Sequence, residues 1–483
     1  MTLVLANLID GHAQAPRAGR YLDVSEPAVG AAFARCPDSD ASDVDAAVEA
    51  ARRAAAGWAA TAPEQRAQHL NRLADLVERE LDALAELESR NCGKPVALAR
   101  SLDIPRAVAN LRFFAAAITQ WAGESHATDD ATLNYTLRQP LGVVACISPW
   151  NLPLYLFTWK IAPALAAGNA VVSKPSEVTP CTAARLGELA VEAGFPPGVL
   201  NIVHGHGAGV GQALVEHAQV KAISFTGSTR TGAAIAAAAA PKFKKLSLEL
   251  GGKNPAIVFA DADLSDADLD TIVRSGFANQ GEICLCGSRL LVERSFYETF
   301  KRRYLERVRA LRVGDPREAG VDLGALVSRA HYDKVVGCIE RARAEGGTIL
   351  CGGAPLRVDG RCADGWFVAP TVIEGLANDS ATNQDEIFGP VVCLIPFDGE
   401  DEAVALANQS GYGLAASLWT GGLDRAHRVA ARLETGIVWI NCWLVRDLRT
   451  PFGGVKNSGV GREGGVEALR FFTDAKNVCL RLR

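Results

Sequence analysis

Between about residue 140 and residue 250, short apolar runs recur at regular intervals, and helix-like stretches separate them. The runs are GVVACI (142–147), NAVVSKP (169–175), VLNIVHG (199–205) and AISFTG (222–227), uncharged except where they end. A strand apolar on both faces has to be covered on both, and the intervening helices, such as TAARLGELAVEAG (182–194), supply the cover. This is the pattern of a parallel sheet in an α/β fold. A second run of the same kind covers about 251–435, with PAIVFA, LLVERS, VVCLIPF and SLWTGG as its strands. With 483 residues the chain exceeds what one core serves, so two or three domains are expected.

The flanks have another texture. The first forty or so residues are rich in strands and turns. Helices follow: an alanine-rich one from Ser42, and one after Pro63 with Leu70, Leu73, Leu76, Val77, Leu81, Leu84 and Leu87 at amphipathic spacing. A third helical stretch covers about 95–120. The tail LRFFTDAKNVCLRLR alternates as a terminal strand does, one that another subunit could take up.

Composition narrows the function classes. Hydrophobic residues make up 48% and charged residues 22%, with a net charge of −5 and no polybasic run, which argues against nucleic acid or a membrane surface as partner. The uncharged stretch 141–159 is interrupted by Pro149, Asn151 and Pro153 and reads as a buried strand, loop and helix rather than a membrane span. The N-terminus lacks the pattern of a secretory signal. Twelve scattered cysteines without CxxC spacing then point to reduced thiols in a cytoplasm.

Two of those cysteines stand two apart in FANQGEICLCGSR (277–289). A disulfide between Cys284 and Cys286 would be badly strained, and no second Cys/His cluster completes a metal site, so no metal is expected. An inert core pair and a working nucleophile remain. Four other segments are individually weak. FTGSTRTG (225–232) ends a strand and opens a helix near Ser228, a place for phosphate or a plain tight turn. SKPSE (173–177) puts Lys174 and Glu177 at a strand's carboxyl end, within reach of a ribose or simply solvated. Glu249 ends the apolar strand before Gly251, a setting that raises a carboxyl's pKa and suits a general base, or an ion-pair partner. Asn151 lies between prolines, an amide aimed at an oxyanion or an ordinary turn residue.

Their order along the chain is not weak. PWNLP, SKPSE, FTGSTRTG, ELGGKN, FANQGEICLCGSR, EIFGP, YGLAAS and PFGGVKNSGVGREGG together resemble the NAD(P)-dependent aldehyde dehydrogenase superfamily, from about residue 20 to the end. The resemblance implies a Rossmann-like NAD-binding domain (1–120 and 141–250) and an α/β catalytic domain (251–435). It also implies a small β oligomerisation element (121–140 and 466–483) of a homodimer or homotetramer, with 436–465 as substrate-channel loop and return. It assigns Cys284 as nucleophile and Cys286 as bystander, Asn151 with the Cys284 N–H as oxyanion donors, and Glu249 as general base. The thiol's pKa must then be low enough to populate a thiolate. Lys174 and Glu177 take the place of the adenosine-ribose pair, and Gly227 with Ser228 that of the pyrophosphate turn. Glu386 falls at the nicotinamide ribose with Phe388 beside the ring, Ile147 and Trp150 among the cofactor-binding residues, and Lys160 and Glu463 where relatives place a proton-relay pair. Glu177 favours NAD over NADP. Glu282 replaces the more usual Gln, a departure expected to leave the chemistry alone.

Arg446 stands where relatives commonly carry an aromatic, and Arg106 lies on a channel-lining helix, so an aldehyde with a distant carboxylate is the expected substrate. The opposing reading makes them ion-pair partners of Asp447 and Asp103. With SPWNLPLYLFTWK, ICLCGSR and NCWLVRDLRTPFGG, the resemblance within the family is to the branch that oxidises 2-aminomuconate and 2-hydroxymuconate 6-semialdehydes. A CoA-acylating relative generally lacks the glutamate base, and a structural protein on this fold may lose catalytic groups; Glu249, Cys284 and Asn151 argue against both.

Overall fold

The structure, a computed structural model, describes residues 2–482. Its first large sheet has eight strands, in the order Gly459–Val460, Lys245–Glu249, Val220–Thr226, Val143–Ile147, Ala170–Lys174, Leu200–Ile202, Asn7–Ile9 and His12–Gln14. The five central strands are parallel, and the short edge strands are antiparallel. Strand order reverses beside Val143–Ile147: the next two strands in sequence lie on one side of it, and the following two on the other. Phe225 pairs with Ile147 at this reversal, so the loops after both strands emerge side by side. Crevices outside such switch points are where α/β sheets hold ligands.

The second sheet has seven strands: Thr348–Cys351, Thr371–Glu374, Val391–Phe397, Arg289–Glu293, Pro255–Val258, Ala415–Trp419 and Ile437–Ile440. All but the first pair in parallel. Ile437–Ile440 lies beyond the 435 boundary drawn from sequence, because its hydrogen-bonding partner is Ala415–Trp419.

A third, three-stranded antiparallel sheet joins Ser125–Asp129, Thr132–Pro140 and Thr473–Arg481, with Thr473 opposite Pro140 and Arg481 opposite Thr132. The tail strand therefore pairs within its own chain. It also starts later than the sequence reading set it: Gly465–Phe471 is a helix, since Ala468, Leu469 and Phe472 recur at helical spacing and are buried against the body. The helix after Pro63 likewise breaks at Glu80 into Pro63–Arg79 and Leu81–Cys92. Among the described residues, no helix is long and apolar enough to cross a membrane.

Buried Asn169 ties the three-stranded arm to the body. Its Oδ1 accepts from the Leu141 and Gly142 N–H groups (2.7 and 3.1 Å), and its Nδ2 donates to the carbonyls of Ala164 and Phe472 (3.1 and 2.9 Å). Asn169→Ala strands the Leu141 and Gly142 N–H groups and the Phe472 carbonyl, while the Ala164 carbonyl keeps the residue-169 N–H; stability is expected to fall by about 3 kcal/mol, read as an earlier midpoint of urea unfolding.

Candidate active site

The loop after Val143–Ile147 turns through Trp150 and Asn151 into the buried helix Pro153–Ala166. Asn151 is buried; its Nδ2 donates to the Glu282 carbonyl at 2.8 Å, and its own carbonyl accepts from Asn279 Nδ2 at 3.1 Å. Glu282 belongs to the segment that carries the cysteines. Here Asn279, Gln280 and Gly281 all have left-handed backbones, which swings the chain out of the helix Asp266–Phe277. A side chain at Gly281 would overlap the Gly389 carbonyl, so only glycine fits. Asn254 Nδ2 then donates to the Cys284 and Cys286 carbonyls (2.7 and 2.9 Å), and Trp443 Nε1 to that of Leu285 (3.0 Å). The turn is pinned residue by residue. Cys286 is buried in the core, while Cys284 lines two cavities at once.

One cavity holds Arg106, Tyr155, Glu249, Arg446 and Phe452 beside Cys284. Glu249 is buried, and neither of its oxygens has a hydrogen-bond partner among the described residues. Burial pushes its carboxyl well above the usual range and Glu463 adds to this, against the pull of Lys160, Arg462 and Arg446. Glu463 in turn receives hydrogen bonds from Lys160 (2.8 Å) and Ser224 (3.0 Å).

The two arginines are free of the acids beside them in sequence. Asp447 is taken by Arg449 at 2.6 Å, and buried Asp103 by Lys94. Among the described residues neither Arg106 nor Arg446 forms an ion pair. Arg446 donates to the Tyr155 hydroxyl (3.1 Å), with its guanidinium 4.0 Å from the Phe452 ring centroid and 5.1 Å from that of Trp159. Arg106 stands 5.9 Å from the Tyr155 ring centroid.

The other cavity lies at the switch point, walled by Trp150, Asn151, Gly227, Ser228, Glu386 and Phe388. Ser228 caps the helix Thr229–Ala239, its Oγ accepting from the Thr231 N–H at 3.2 Å. Glu386 accepts from the Gly252 N–H (2.9 Å), and a side chain at Gly251 would run into that carboxylate. Lys174 and Glu177 form an ion pair (2.9 Å) at the carboxyl end of the neighbouring strand, with His206 Nδ1 3.5 Å from Glu177. Ile147 packs into the core at the end of its strand. His331 and Lys334 also line this cavity and were not singled out from sequence. They come from the start of the helix Arg329–Ala344, where nothing in the spacing marks a ligand-facing side. His331 Nε2 lies 2.7 Å from the carbonyl of Phe388, which has a left-handed backbone, and Lys334 donates to the Glu386 carbonyl at 3.1 Å.

Glu282, the departure from the usual Gln, is buried; burial pushes its carboxyl well above the usual range, while its Oε1 accepts from the Val327 N–H at 3.1 Å. The pKa of Cys284 goes opposite to what a thiolate nucleophile requires. Burial, then the carboxylates of Glu386 and Glu249, push the thiol up, and Arg446 opposes them weakly. These surroundings favour the neutral thiol.

Cys284 thus stands between a cavity lined by two arginines and a cleft at the switch point. The residue pattern of the aldehyde dehydrogenase family matches residues 14–478, and the chain belongs to that family. It is 51% identical over 482 residues to the 2-aminomuconic semialdehyde dehydrogenase of Bos taurus, covering 99% of this chain and 98% of that one. To the 2-hydroxymuconic semialdehyde dehydrogenase of Pseudomonas sp. (strain CF600) it is 47% identical over 484 residues, 99% of each. Among solved structures, the NAD+ complex of a Bacillus cereus aldehyde dehydrogenase superposes with a TM-score of 0.96 at 38% identity, covering 99% of this chain and 97% of that one.

Because the thiol is held up, iodoacetamide alkylation of Cys284 is expected to climb about tenfold per pH unit from pH 7 past pH 9 without a plateau. Mass spectrometry of the modified peptide measures it; a plateau at or below the ordinary cysteine pKa would contradict the reading.

Proposed function

We propose that this protein oxidises a carboxylate-bearing semialdehyde, 2-aminomuconate or 2-hydroxymuconate 6-semialdehyde, to the dicarboxylic acid with NAD, through a thiohemiacetal and a thioester on Cys284. The observation that carries the substrate class is the pair of guanidiniums, Arg106 and Arg446, lining the Cys284 cavity while both neighbouring acids are engaged elsewhere. The names of the muconic relatives support the same reading.

The switch-point cleft suits a dinucleotide by its own chemistry. Glu177 and Glu386 offer carboxylates to ribose hydroxyls, and the first N–H groups of the helix after Ser228 lack intrahelical acceptors and favour a pyrophosphate. A negative Glu177 disfavours a 2′-phosphate. NAD, when bound, supplies the hydride acceptor. The rest falls to the chain. The Cys284 sulfur bonds to the aldehyde carbon as its proton passes to Glu249, which lines the same cavity. Oxygen charge developing on that carbon finds the Cys284 N–H and the Asn151 N–H not used by Glu282. After oxidation Cys284 holds the acyl group. Glu249, buried without a partner, takes a proton from the water that frees the acid, and Glu463 with Lys160 can pass that proton on. A base in this position favours hydrolysis over transfer to CoA.

The exposed three-stranded arm, with Leu133, Leu137 and Leu480 uncovered, we read as the oligomerisation element of a homodimer or homotetramer, and the chain as cytoplasmic.

NADH formation over a panel of carboxylated and neutral aldehydes tests the substrate class. Arg446→Ala is expected to raise KM for the carboxylated semialdehyde about 10- to 100-fold, the worth of a charge-assisted contact, and to spare neutral aldehydes; an equal loss on both refutes the clamp. Asn151→Ala should stay folded and lose about 10²–10³ in kcat, measured in the same assay.

A further inference from the structure

Lys94 has no part in the chemistry above, yet it is among the most enclosed charges in the protein. Its side chain and that of its partner Asp103 are both fully buried. The ammonium has a second acceptor, the main-chain carbonyl of Asn151 at 2.9 Å. We propose that the Lys94–Asp103 pair is a positioning device: it fixes the backbone of Asn151 so that the side-chain amide stays aimed at the carbon bonded to Cys284. This rests on the role of Asn151 as oxyanion donor.

The geometry narrows the alternatives. Two donors, Lys94 Nζ and Asn279 Nδ2, converge on the Asn151 carbonyl, and the Asn151 side chain reaches the Glu282 carbonyl. On either side of it, Thr179 Oγ1 donates to the Trp150 carbonyl (3.1 Å) and Glu88 Oε1 accepts from the Leu154 N–H (3.1 Å). The loop between the strand and the helix is thus suspended on side chains. Lys94 is the charged one on Asn151 itself, and a charged donor makes the stiffer bond. Burial works against the ammonium, but Asp103 together with Cys92 and Glu88 offsets it, and the pKa is raised.

Asp103 is brought underneath by a local irregularity. Ala99–Asp103 is a π-helical turn leading into the helix Ile104–Gln120, which carries Arg106 to the substrate cavity. Such insertions re-aim side chains and collect at functional sites. Stability alone is a poor reason for the pair, since buried ion pairs are often matched or bettered by apolar residues.

The test is steady-state kinetics of Lys94→Met and Asp103→Asn, each alone and combined with Asn151→Ala, with circular dichroism to check folding. Lys94→Met is expected to lower kcat about 10- to 100-fold, with KM for the semialdehyde changed less than about threefold. Asp103→Asn should do the same to a smaller degree. Once Asn151 is alanine, either change should cost less than about twofold more, because the group it positions is gone. Equal losses in both backgrounds mean a general structural role and overturn the proposal. So does wild-type kcat in Lys94→Met when Asn151→Ala is crippled, a result that leaves the reading of Asn151 standing. Wild-type turnover in Asn151→Ala alone overturns both. If Lys94→Met does not fold, the near-isosteric Asp103→Asn decides by the same comparison.

Discussion

The parallel pairing of Val143–Ile147 with Val220–Thr226 is the constraint on which the site depends. From Val143–Ile147 the chain goes on to strands on one side of it, and from Val220–Thr226 to a strand on the other. The loop carrying Asn151 and the turn carrying Gly227 and Ser228 open into one cavity. The second sheet brings Cys284 to it from another direction, on a turn held by Asn254, Trp443 and three left-handed residues in succession. Neither sheet holds the site alone.

Much of this is legible in the sequence, and for physical reasons. Uncharged strands demand cover on both faces, so the parallel sheets followed from composition within short windows. Glu249 sat at the end of such a strand, and there its burial followed from that of its neighbours. Cys284 and Cys286 could be told apart only through a resemblance, because spacing says nothing about which thiol faces a cavity. Residues 469–471, the end of the helix Gly465–Phe471, read as strand in the sequence because LRFF satisfies either period over so few residues, and packing against the body decides. His331 and Lys334 were invisible: one helix start supplies both, and its orientation depends on a sheet whose strands come from distant parts of the chain.

Arg446 and Arg106 show the same limit from another side. On sequence alone each had an acid within three residues, and an ion pair was a fair competing reading. Which arginine Asp447 accepts depends on how the loop turns; it accepts Arg449, with its main-chain N–H as well as its guanidinium. Asp103 lies in the π-helical turn and pairs with Lys94 instead. Local charge pairing was decided by backbone geometry that spacing does not encode.

Under the proposed function, the arginine that is left over has two jobs that pull against each other. Enclosed by Phe452 and Trp159 and bonded to Tyr155, Arg446 is already oriented and partly dehydrated, so a carboxylate meeting it has less order and less solvent left to lose. The same positive charge lowers the pKa of both Cys284 and Glu249, which burial and neighbouring carboxylates raise. A carboxylate bound at Arg446 offsets that charge and leaves the thiol and the base harder to ionise. A second guanidinium in the cavity eases the conflict, because Arg106 can share the bound anion and leave part of the Arg446 field directed at Cys284. Two arginines around one cavity are therefore what a site needs when it must hold an acid at one end and create an anion at the other.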